Sequence, residues 1–420
     1  MKGPRWVIWI IWIGVLWLLP LVGFAQTDED YAARARELRA QSQAQKKPQL
    51  DEARQLFESA FKLFQQGDFS TAKIAFGRGF ALDPGNGTAH FYMAETLMRM
   101  KESATAREQY GLALALLPST STESLKAGSA LAKFGAKGSK DCAECPEMVV
   151  IPAGAFNMGS SGAEQALANA AGVSTQVTAG ESPQRGVSVR SFAAGRYAVT
   201  RGEFANFVRA RNYQTEAEQG DGCYGLTGTE FKKDKAHNWR NVGFSQSDDH
   251  PVVCVSWNDA KAYAQWISQV SGKEYRLLSE AEREYAARAG TQTAFWWGGS
   301  INSGQANYNG AGKSYNSSAP GDWRRATVAV NSFEPNPFGL YNVHGNVWEW
   351  VEDCWHENYN GAPTDGSAWT TGCSQSGRVL RGGSWMYIPA YLRSAGRLRG
   401  TPDLRGDLIG FRLARTLSTP

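Results

Sequence analysis

The apolar and polar positions divide the 420-residue chain into five stretches. Residues 1–25 hold one continuous apolar run, whereas residues 26–50 are polar and charged, which predicts a linker. Apolar positions in 51–135 recur with a long period, which is typical of a helical repeat segment. The Gly- and Lys-rich stretch 136–146 predicts a second linker, and 147–417 is expected to form one further domain.

The first apolar stretch is typical of an export signal. Two basic residues, Lys2 and Arg5, precede the uncharged run Trp6–Phe24. Small residues stand at Gly23 and Ala25, the two positions that a signal peptidase reads. We therefore expect a cleaved signal peptide and a mature protein that is exported across the inner membrane into the periplasm. An uncleaved inner-membrane anchor is the alternative, because 19 apolar residues can just cross a bilayer.

A 34-residue period runs through the predicted helical stretch. Small, aromatic, small and proline positions recur in this order, and the pattern resembles tetratricopeptide repeats, in which small residues let two helices approach. The recurring pairs are Ala72 and Ala106, Phe76 and Tyr110, Gly79 and Ala113, and Pro84 and Pro118. A capping helix is predicted from Leu125, Ala130, Leu131 and Phe134. The resemblance implies a surface for a protein partner, and a spacer that only stabilises the chain is the equal alternative.

Three helices are predicted inside the large C-terminal stretch, beginning after Thr200, Ser256 and Ser279. Thr200 and Ser279 are followed three residues later by Glu203 and Glu282, which is the pattern of a capping box. Long Gly-, Asn- and Ser-rich segments separate these elements. Such segments predict a loop-rich domain, for which 15 tryptophans and disulfides would provide anchors.

Charge and cysteine content narrow the classes of function. With 44 basic and 40 acidic residues, the net charge of +4 gives no electrostatic case for nucleic-acid binding. Six cysteines in an exported chain predict three disulfides. Proximity along the chain favours the pairs Cys142 with Cys145, Cys223 with Cys254, and Cys354 with Cys373, and other pairings stay open.

Three blocks near the C-terminus carry the most specific pattern of the chain. They are Gly-Leu-Tyr-Asn-Val-His-Gly-Asn-Val-Trp-Glu-Trp (339–350), Arg-Val-Leu-Arg-Gly-Gly-Ser-Trp (378–385) and Gly-Phe-Arg (410–412). Together with 249–257 and 279–290, these blocks resemble the signature of the formylglycine-generating enzyme (sulfatase-modifying factor) superfamily. The resemblance implies an α+β C-type-lectin-like domain with low regular secondary structure, preceded here by the α-helical repeat segment.

The resemblance also implies an oxidase chemistry that this sequence lacks. In the copper oxidases of the family, two cysteines five residues apart follow the Gly-Gly-Ser block, and here these positions are Tyr387 and Leu392. Copper(I) prefers thiolate ligands, so we expect no copper-dependent oxidation. The five histidines also lack the His-x-x-x-His-x-Glu spacing of the iron-dependent members. Ser384 and Trp348 match positions that line the oxidase pocket, but alone they define no reaction, and whether the chain is an enzyme stays open.

Structural calcium is a further implication of the resemblance. A hard cation takes oxygens from Asn, Asp and Glu side chains and from backbone carbonyls. The first family site maps onto Asn342, Gly345, Val347 and Glu349, and the second maps onto Asn307, Tyr308, Asp322 and Arg324. The alternative for the first set is that Glu349 pairs with an arginine and that no metal binds there.

Three functional interpretations follow. The first is a non-oxidase accessory or binding protein that holds a peptide or a small molecule. Its expected ligand face comprises Trp348, Ser384, Trp385, Tyr387 and Tyr391. The second is a periplasmic maturation enzyme with undefined chemistry, as implied by relatives in pyoverdine biosynthesis that lack the metal site.

The third interpretation is a binding protein whose C-terminal segment is diversified by a retroelement. The frame 384–414 is similar to the variable segments of such proteins, which share the fold and end in Gly-Phe-Arg. The interspersed positions are Met386, Tyr387, Ile388, Tyr391, Gly396, Leu398, Gly400, Leu404, Gly406, Asp407 and Leu408. The alternative is that these side chains fill the core while neighbouring arginines pair with Glu349, Asp353 or Asp403.

Overall fold

The computed structural model describes residues 28–118, 121–134, 138–228, 230–373 and 377–417, so the expected signal peptide lies outside the described residues. Six helices form the N-terminal part. Helices α1 to α6 are Asp28–Gln43, Lys47–Gln66, Phe69–Leu82, Gly87–Arg99, Ser103–Leu116 and Thr122–Phe134. None of the helices in the described ranges combines the length and the apolar character needed to cross a bilayer.

Helix α1 occupies a stretch that the sequence predicts as a linker. Its Tyr31 and Ala35 are buried against α5, and Arg39 donates a hydrogen bond of 2.8 Å to the carbonyl of Ala115. A Cβ at Gly111 would lie 2.4 Å from the Tyr31 ring, so the glycine gives the ring its place. The polar composition of 26–50 conceals this narrow contact face, which consists of one aromatic and one small residue at helical spacing.

The recurring positions of the 34-residue period form the contacts between helices. Helix α2 packs on α3, and α4 packs on α5. The small and aromatic positions are buried, namely Ala72, Phe76 and Gly79 in α3 and Ala106, Tyr110 and Ala113 in α5. A groove of about 610 Å³ lies along this segment, and Phe57, Phe61 and Tyr92 are among its lining residues. The structure does not describe the side chains of Leu125 and Phe134, which are two of the residues predicted for the capping helix.

The C-terminal part contains short strands and helices that are separated by long irregular loops. Strands β1 to β12 are Met148–Ile151, Gly154–Met158, Arg185–Val189, Phe192–Gly195, Cys223–Thr227, Glu230–Asp234, Tyr275–Leu277, Trp348–Cys354, Arg378–Arg381, Arg397–Gly400, Ile409–Phe411 and Leu413–Thr416. Helices α7 to α12 are Gly162–Ala170, Thr175–Ala179, Arg201–Arg211, Glu216–Gln219, Trp257–Ser271 and Glu280–Arg288. The predicted helix starts are confirmed, because Thr200, Ser256 and Ser279 are the N-caps of α9, α11 and α12.

Two four-stranded sheets organise this part, with strand orders β1-β4-β12-β7 and β10-β9-β8-β11. In the second sheet, β11 runs parallel to β8 and places Ile409 beside Trp348 and Phe411 beside Trp350. Strand β9 pairs with β8 on its other side. The three C-terminal sequence blocks therefore meet in one sheet, although 59 residues (351–409) separate the first from the third along the chain.

An aromatic core joins the helices to the second sheet. Phe204 from α9, Tyr263 from α11 and Phe411 from β11 are each fully buried. Their ring centroids lie 5.4 to 6.4 Å apart, in stacked and edge-to-face arrangements that suit aromatic quadrupoles. This packing fixes the orientation of β11 and of the residues that precede it.

The described residues of the stretch 136–146, which the sequence predicts as a linker, are held in place by several contacts. Ser139 forms an antiparallel bridge with Met148, and Cys142 and Cys145 form a disulfide. The Asp141 carboxylate accepts a hydrogen bond from Lys273 at 2.8 Å and another from the Tyr275 hydroxyl. The segment is therefore anchored on β7 of the C-terminal part, and these polar contacts are with residues too distant in sequence for a local pattern to predict.

Candidate functional site

The expected ligand face is only partly exposed. Trp348 at the start of β8, and Ser384 and Trp385 after β9, are fully buried. Tyr387 and Tyr391 are half-buried and close the site toward solvent. The Tyr387 ring stands edge-on to Trp348 at 5.3 Å and to Tyr391 at 5.1 Å. The structure thus brings these five residues together, with two tyrosines in front of two tryptophans and a serine.

Two polar atoms of this site have no hydrogen-bond partner in the part of the chain that the structure describes. Both Ser384 Oγ and Trp348 Nε1 are buried and unpaired. Buried groups of this kind are normally satisfied by protein, water or ligand. His344 does not serve as a base for Ser384, because its Nδ1 lies 2.7 Å from the carbonyl of Leu392 and its Nε2 accepts the backbone N–H of Trp296 at 3.2 Å. Burial lowers the pKa of His344 to about 3, so its imidazole is neutral.

The two positions that carry cysteines in the family's copper oxidases do not fit copper. Tyr387 offers a phenol whose ring packs on Trp348, and Leu392 is a fully buried aliphatic side chain. All six cysteines of the sequence are paired in the three predicted disulfides, Cys142–Cys145, Cys223–Cys254 and Cys354–Cys373. The site therefore has no thiolate to offer to copper(I).

The first predicted calcium set lacks a free carboxylate. Arg283 Nε donates to Glu349 at 2.7 Å and Arg412 Nη2 donates to it at 2.9 Å, with all three side chains buried. Burial opposes ionisation of Glu349, but the two arginines outweigh it and lower the pKa of the carboxyl. Asn342 Oδ1 stays unpaired. The donor set does not fit calcium, because two guanidinium groups already occupy the carboxylate that a cation would need.

The second predicted calcium set fits a hard cation better. Asn307 is fully buried, its Nδ2 donates to the carbonyl of Ala326 at 2.9 Å, and its Oδ1 has no partner. Asp322 is exposed on the same loop and has no cationic partner among the described ion pairs. The carbonyls of Tyr308 and Arg324 accept no hydrogen bond from the described part of the chain. An unpaired amide oxygen, a carboxylate and two free carbonyls are the ligands that calcium takes.

The positions proposed for diversification are divided between surface and interior. Met386, Ile388, Leu398 and Leu404 are half-buried, as are the two tyrosines of the site. Gly396, Gly400, Gly406, Asp407 and Leu408 are buried. A Cβ at Gly400 would lie 2.6 Å from the Trp350 ring, so a larger residue there would clash with the core. In the second half of the segment, where these buried positions lie, the structure therefore favours the alternative that the residues belong to the core and do not vary.

The sequence analysis places Asp407 among the interspersed positions of the C-terminal frame but not in the expected ligand face. Asp407 is buried, and its carbonyl accepts a hydrogen bond of 3.1 Å from Trp385 Nε1. Burial raises the pKa of the Asp407 carboxyl to about 7, and the N–H of Leu226 partly offsets this shift. The only signal in the sequence was its position three residues ahead of Gly-Phe-Arg, since its neighbours come from a hairpin some 180 residues earlier.

Comparison with known proteins finds relatives that are similar to this chain in sequence. The chain is 35% identical to the formylglycine-generating enzyme of Mus musculus over 297 residues, which cover 64% of this chain and 74% of that protein. It is 31% identical to the inactive Cα-formylglycine-generating enzyme 2 of Mus musculus over 306 residues, which cover 66% and 88% of the two chains.

A solved structure is also similar to a large part of this chain. The structure of PvdO from Pseudomonas aeruginosa is similar with a TM-score of 0.54 and 38% identity, and the match covers 67% of this chain and 99% of that one. The α+β C-type-lectin-like fold expected for the C-terminal part is confirmed, as is the helical segment that precedes it. The model of the sulfatase-modifying factor enzyme 1-like domain matches residues 134–417, and the chain belongs to this family.

Proposed function

We propose that the protein is an exported binding or accessory member of the family that does not perform copper-dependent oxidation. One observation carries the proposal. The positions of the two oxidase cysteines hold Tyr387 and Leu392, while every cysteine of the chain is bonded in a disulfide. Disulfides form in exported proteins, which supports the periplasm as the compartment.

The ligand would contact the tyrosine pair first. Tyr387 and Tyr391 present half-buried rings with polar hydroxyls, which suit recognition of a small molecule or a peptide. Because the Tyr387 ring contacts Trp348, a ligand that moves this ring would reach the unpaired Nε1 of Trp348. Calcium at Asn307 and Asp322 would hold the adjoining loop, since Asn309 N donates to the carbonyl of Tyr387 at 2.9 Å.

The similarity to a relative named as inactive supports a function without oxidation. At 31% identity over 88% of its length, that relative shares most of the domain with this chain. A protein of this family therefore does not need oxidase activity to keep the fold.

A second candidate function is a maturation enzyme with the same pocket. It is favoured by the 38% identity to PvdO across 99% of that chain. This function requires that a product disappears when the pocket is altered, for example in Ser384→Ala or Trp348→Phe. A binding protein instead retains its ligand unchanged, so mass spectrometry of the bound ligand after incubation separates the two functions.

Copper(I) binding tests the proposal directly. The wild-type protein and the double variant Tyr387→Cys with Leu392→Cys are loaded with copper(I) under argon and then passed over a desalting column. We expect no stoichiometric copper in the wild type and about one copper per chain in the double variant, because only the variant has two facing thiolates. Elemental analysis gives both numbers. Stoichiometric, tightly held copper in the wild type would overturn the proposal.

A further inference from the structure

Asp407 has a carboxylate oxygen that is buried without a partner. Its Oδ2 accepts a hydrogen bond from the backbone N–H of Leu226 at 3.0 Å, but its Oδ1 accepts none. The other buried acidic residues in the described ranges all have both oxygens satisfied or exposed. They are Glu181, Asp259, Glu280, Glu282, Glu284, Glu349 and Asp353. An unpaired buried carboxylate is costly, so a native structure that contains one suggests a missing binding partner.

An imidazole lies close to this carboxylate. A Cβ at Gly225 would lie 2.9 Å from His237 Nδ1 and 3.2 Å from Asp407 Oδ2, so these two atoms are within about 6 Å of each other. His237 Nδ1 is also buried and unpaired. On the other side of the ring, a Cβ at Gly243 would lie 2.9 Å from His237 Cε1. The two glycines therefore leave room for the imidazole beside the acid.

The pair lies next to the site already described. Trp385 Nε1 donates to the carbonyl of Asp407, and the N–H of Trp348 donates to the carbonyl of Leu408 at 2.9 Å. The hairpin formed by β5 and β6 covers the acid, since Asp407 N donates to the carbonyl of Tyr224. Asp407 thus lies between this hairpin and the two tryptophans of the site.

No cation of the described residues neutralises Asp407. On the hairpin, Lys233 pairs with Asp221 at 2.7 Å. Arg405 donates to the carbonyl of Gly222 and to Asp221. Lys232 lies opposite Gly225 in the hairpin register, but its ammonium group pairs with Glu230 at 3.3 Å and both side chains are exposed. His237 also faces Asp407. None of these cations pairs with Asp407, so at a pH where the carboxyl is ionised an external cation would supply the counter-charge.

We propose that Asp407 and His237 form a binding site for a protonated amine, with Asp407 as counterion and His237 Nδ1 as a second acceptor. An alkylammonium group has three donors and no acceptor, so two of its N–H groups can donate to these two acceptor atoms. A metal ion needs more ligands, and the described residues contain no cluster of three His, Cys, Asp or Glu side chains. The inference rests on the proposed binding function, because it names the class of ligand for that site.

Benzylammonium is a suitable probe, and benzyl alcohol is its uncharged analogue of nearly equal shape. Isothermal titration of the full chain at pH 8 should detect the ammonium but not the alcohol. Asp407→Asn keeps an acceptor for Leu226 N–H and should weaken binding at least tenfold. Asp403→Asn is the matched control, since Asp403 is exposed four residues earlier, and it should bind as the wild type does.

The pH dependence gives a second, independent readout. Because burial raises the pKa of Asp407 to about 7, the carboxylate that binds the ammonium is lost as pH falls below 7. Affinity should therefore fall about tenfold per pH unit below that value. The carbon-13 shift of the Asp407 carboxyl, followed by NMR, should show its pKa decrease when benzylammonium is added.

The outcomes separate this inference from the proposed function. Equal binding by Asp407→Asn and the wild type, equal binding of alcohol and ammonium, or no ammonium binding at pH 8 would each overturn the amine site. These results leave the copper experiment unaffected. Conversely, copper retention by the wild type would refute the non-oxidase function even if the amine site is present.

Discussion

At the scale of single residues, the uncompensated carboxyl of Asp407 should reduce the stability of the fold at neutral pH. Burial raises its pKa from 3.8 to about 7, so the folded chain holds a proton that the unfolded chain has released. Stability is therefore lost as pH rises from about 4 to about 7, by up to ~4 kcal/mol for this group. Asp407→Asn removes that loss.

We expect Asp407→Asn to unfold at higher urea concentration than the wild type at pH 8, and at a similar concentration at pH 4. Asp353 keeps part of the pH dependence in the variant, because burial and the neighbouring Glu280 raise its pKa to about 7 as well. A residue that binds ligand at the expense of stability is a recognised compromise. A variant that is less stable than the wild type at pH 8 would contradict this account.

At the scale of elements, the loop that carries Asn307 and Asp322 should depend on calcium. It contains little regular structure, and Asn307 ties it by a bridge to Gly345 in the segment that precedes β8. We expect about one calcium per chain by elemental analysis and a melting temperature that falls when EGTA is added. Asp322→Asn should lower the calcium content and abolish the EGTA effect.

Glu349→Gln is the matched control for that measurement. Glu349 belongs to the first predicted calcium set but is held by Arg283 and Arg412, so its loss should destabilise the fold without changing calcium content. If Glu349→Gln lowers the calcium content and Asp322→Asn does not, the two sets have been assigned the wrong way round.

Elements with a local signal could be predicted from the sequence, whereas the contacts of the site could not. The capping boxes at Thr200 and Ser279 and the period that places Phe76 and Tyr110 in the helical core are all local patterns. Asp407 and His237, by contrast, are 170 residues apart and meet only because the β5–β6 hairpin folds over β11. Likewise, the guanidinium of Arg283 donates to the carboxylate of Glu349 across 66 positions of the chain, and no local pattern identifies this partner.

At the scale of the whole molecule, the helical part and the C-terminal part should unfold in separate transitions. Among the described residues the contact between them is small: a Cβ at Gly128 of α6 would lie 3.6 Å from the Pro152 ring, and Leu114 and Tyr285 line the same small cavity. Each part also has its own buried cluster, around Tyr110 and Phe91 in one and around Tyr263 and Phe411 in the other. Small interfaces couple the unfolding of two parts weakly.

Scanning calorimetry of the full chain should therefore show two transitions that respond to different perturbations. Phe76→Ala removes a ring that is 1% exposed in α3, so it should lower only the helical transition, at a cost of about 3–5 kcal/mol. EGTA should lower only the other transition, because the calcium ligands lie in the C-terminal part. A single transition that shifts with both perturbations would mean that the narrow contact at Gly128 and Pro152 couples the two parts into one cooperative unit.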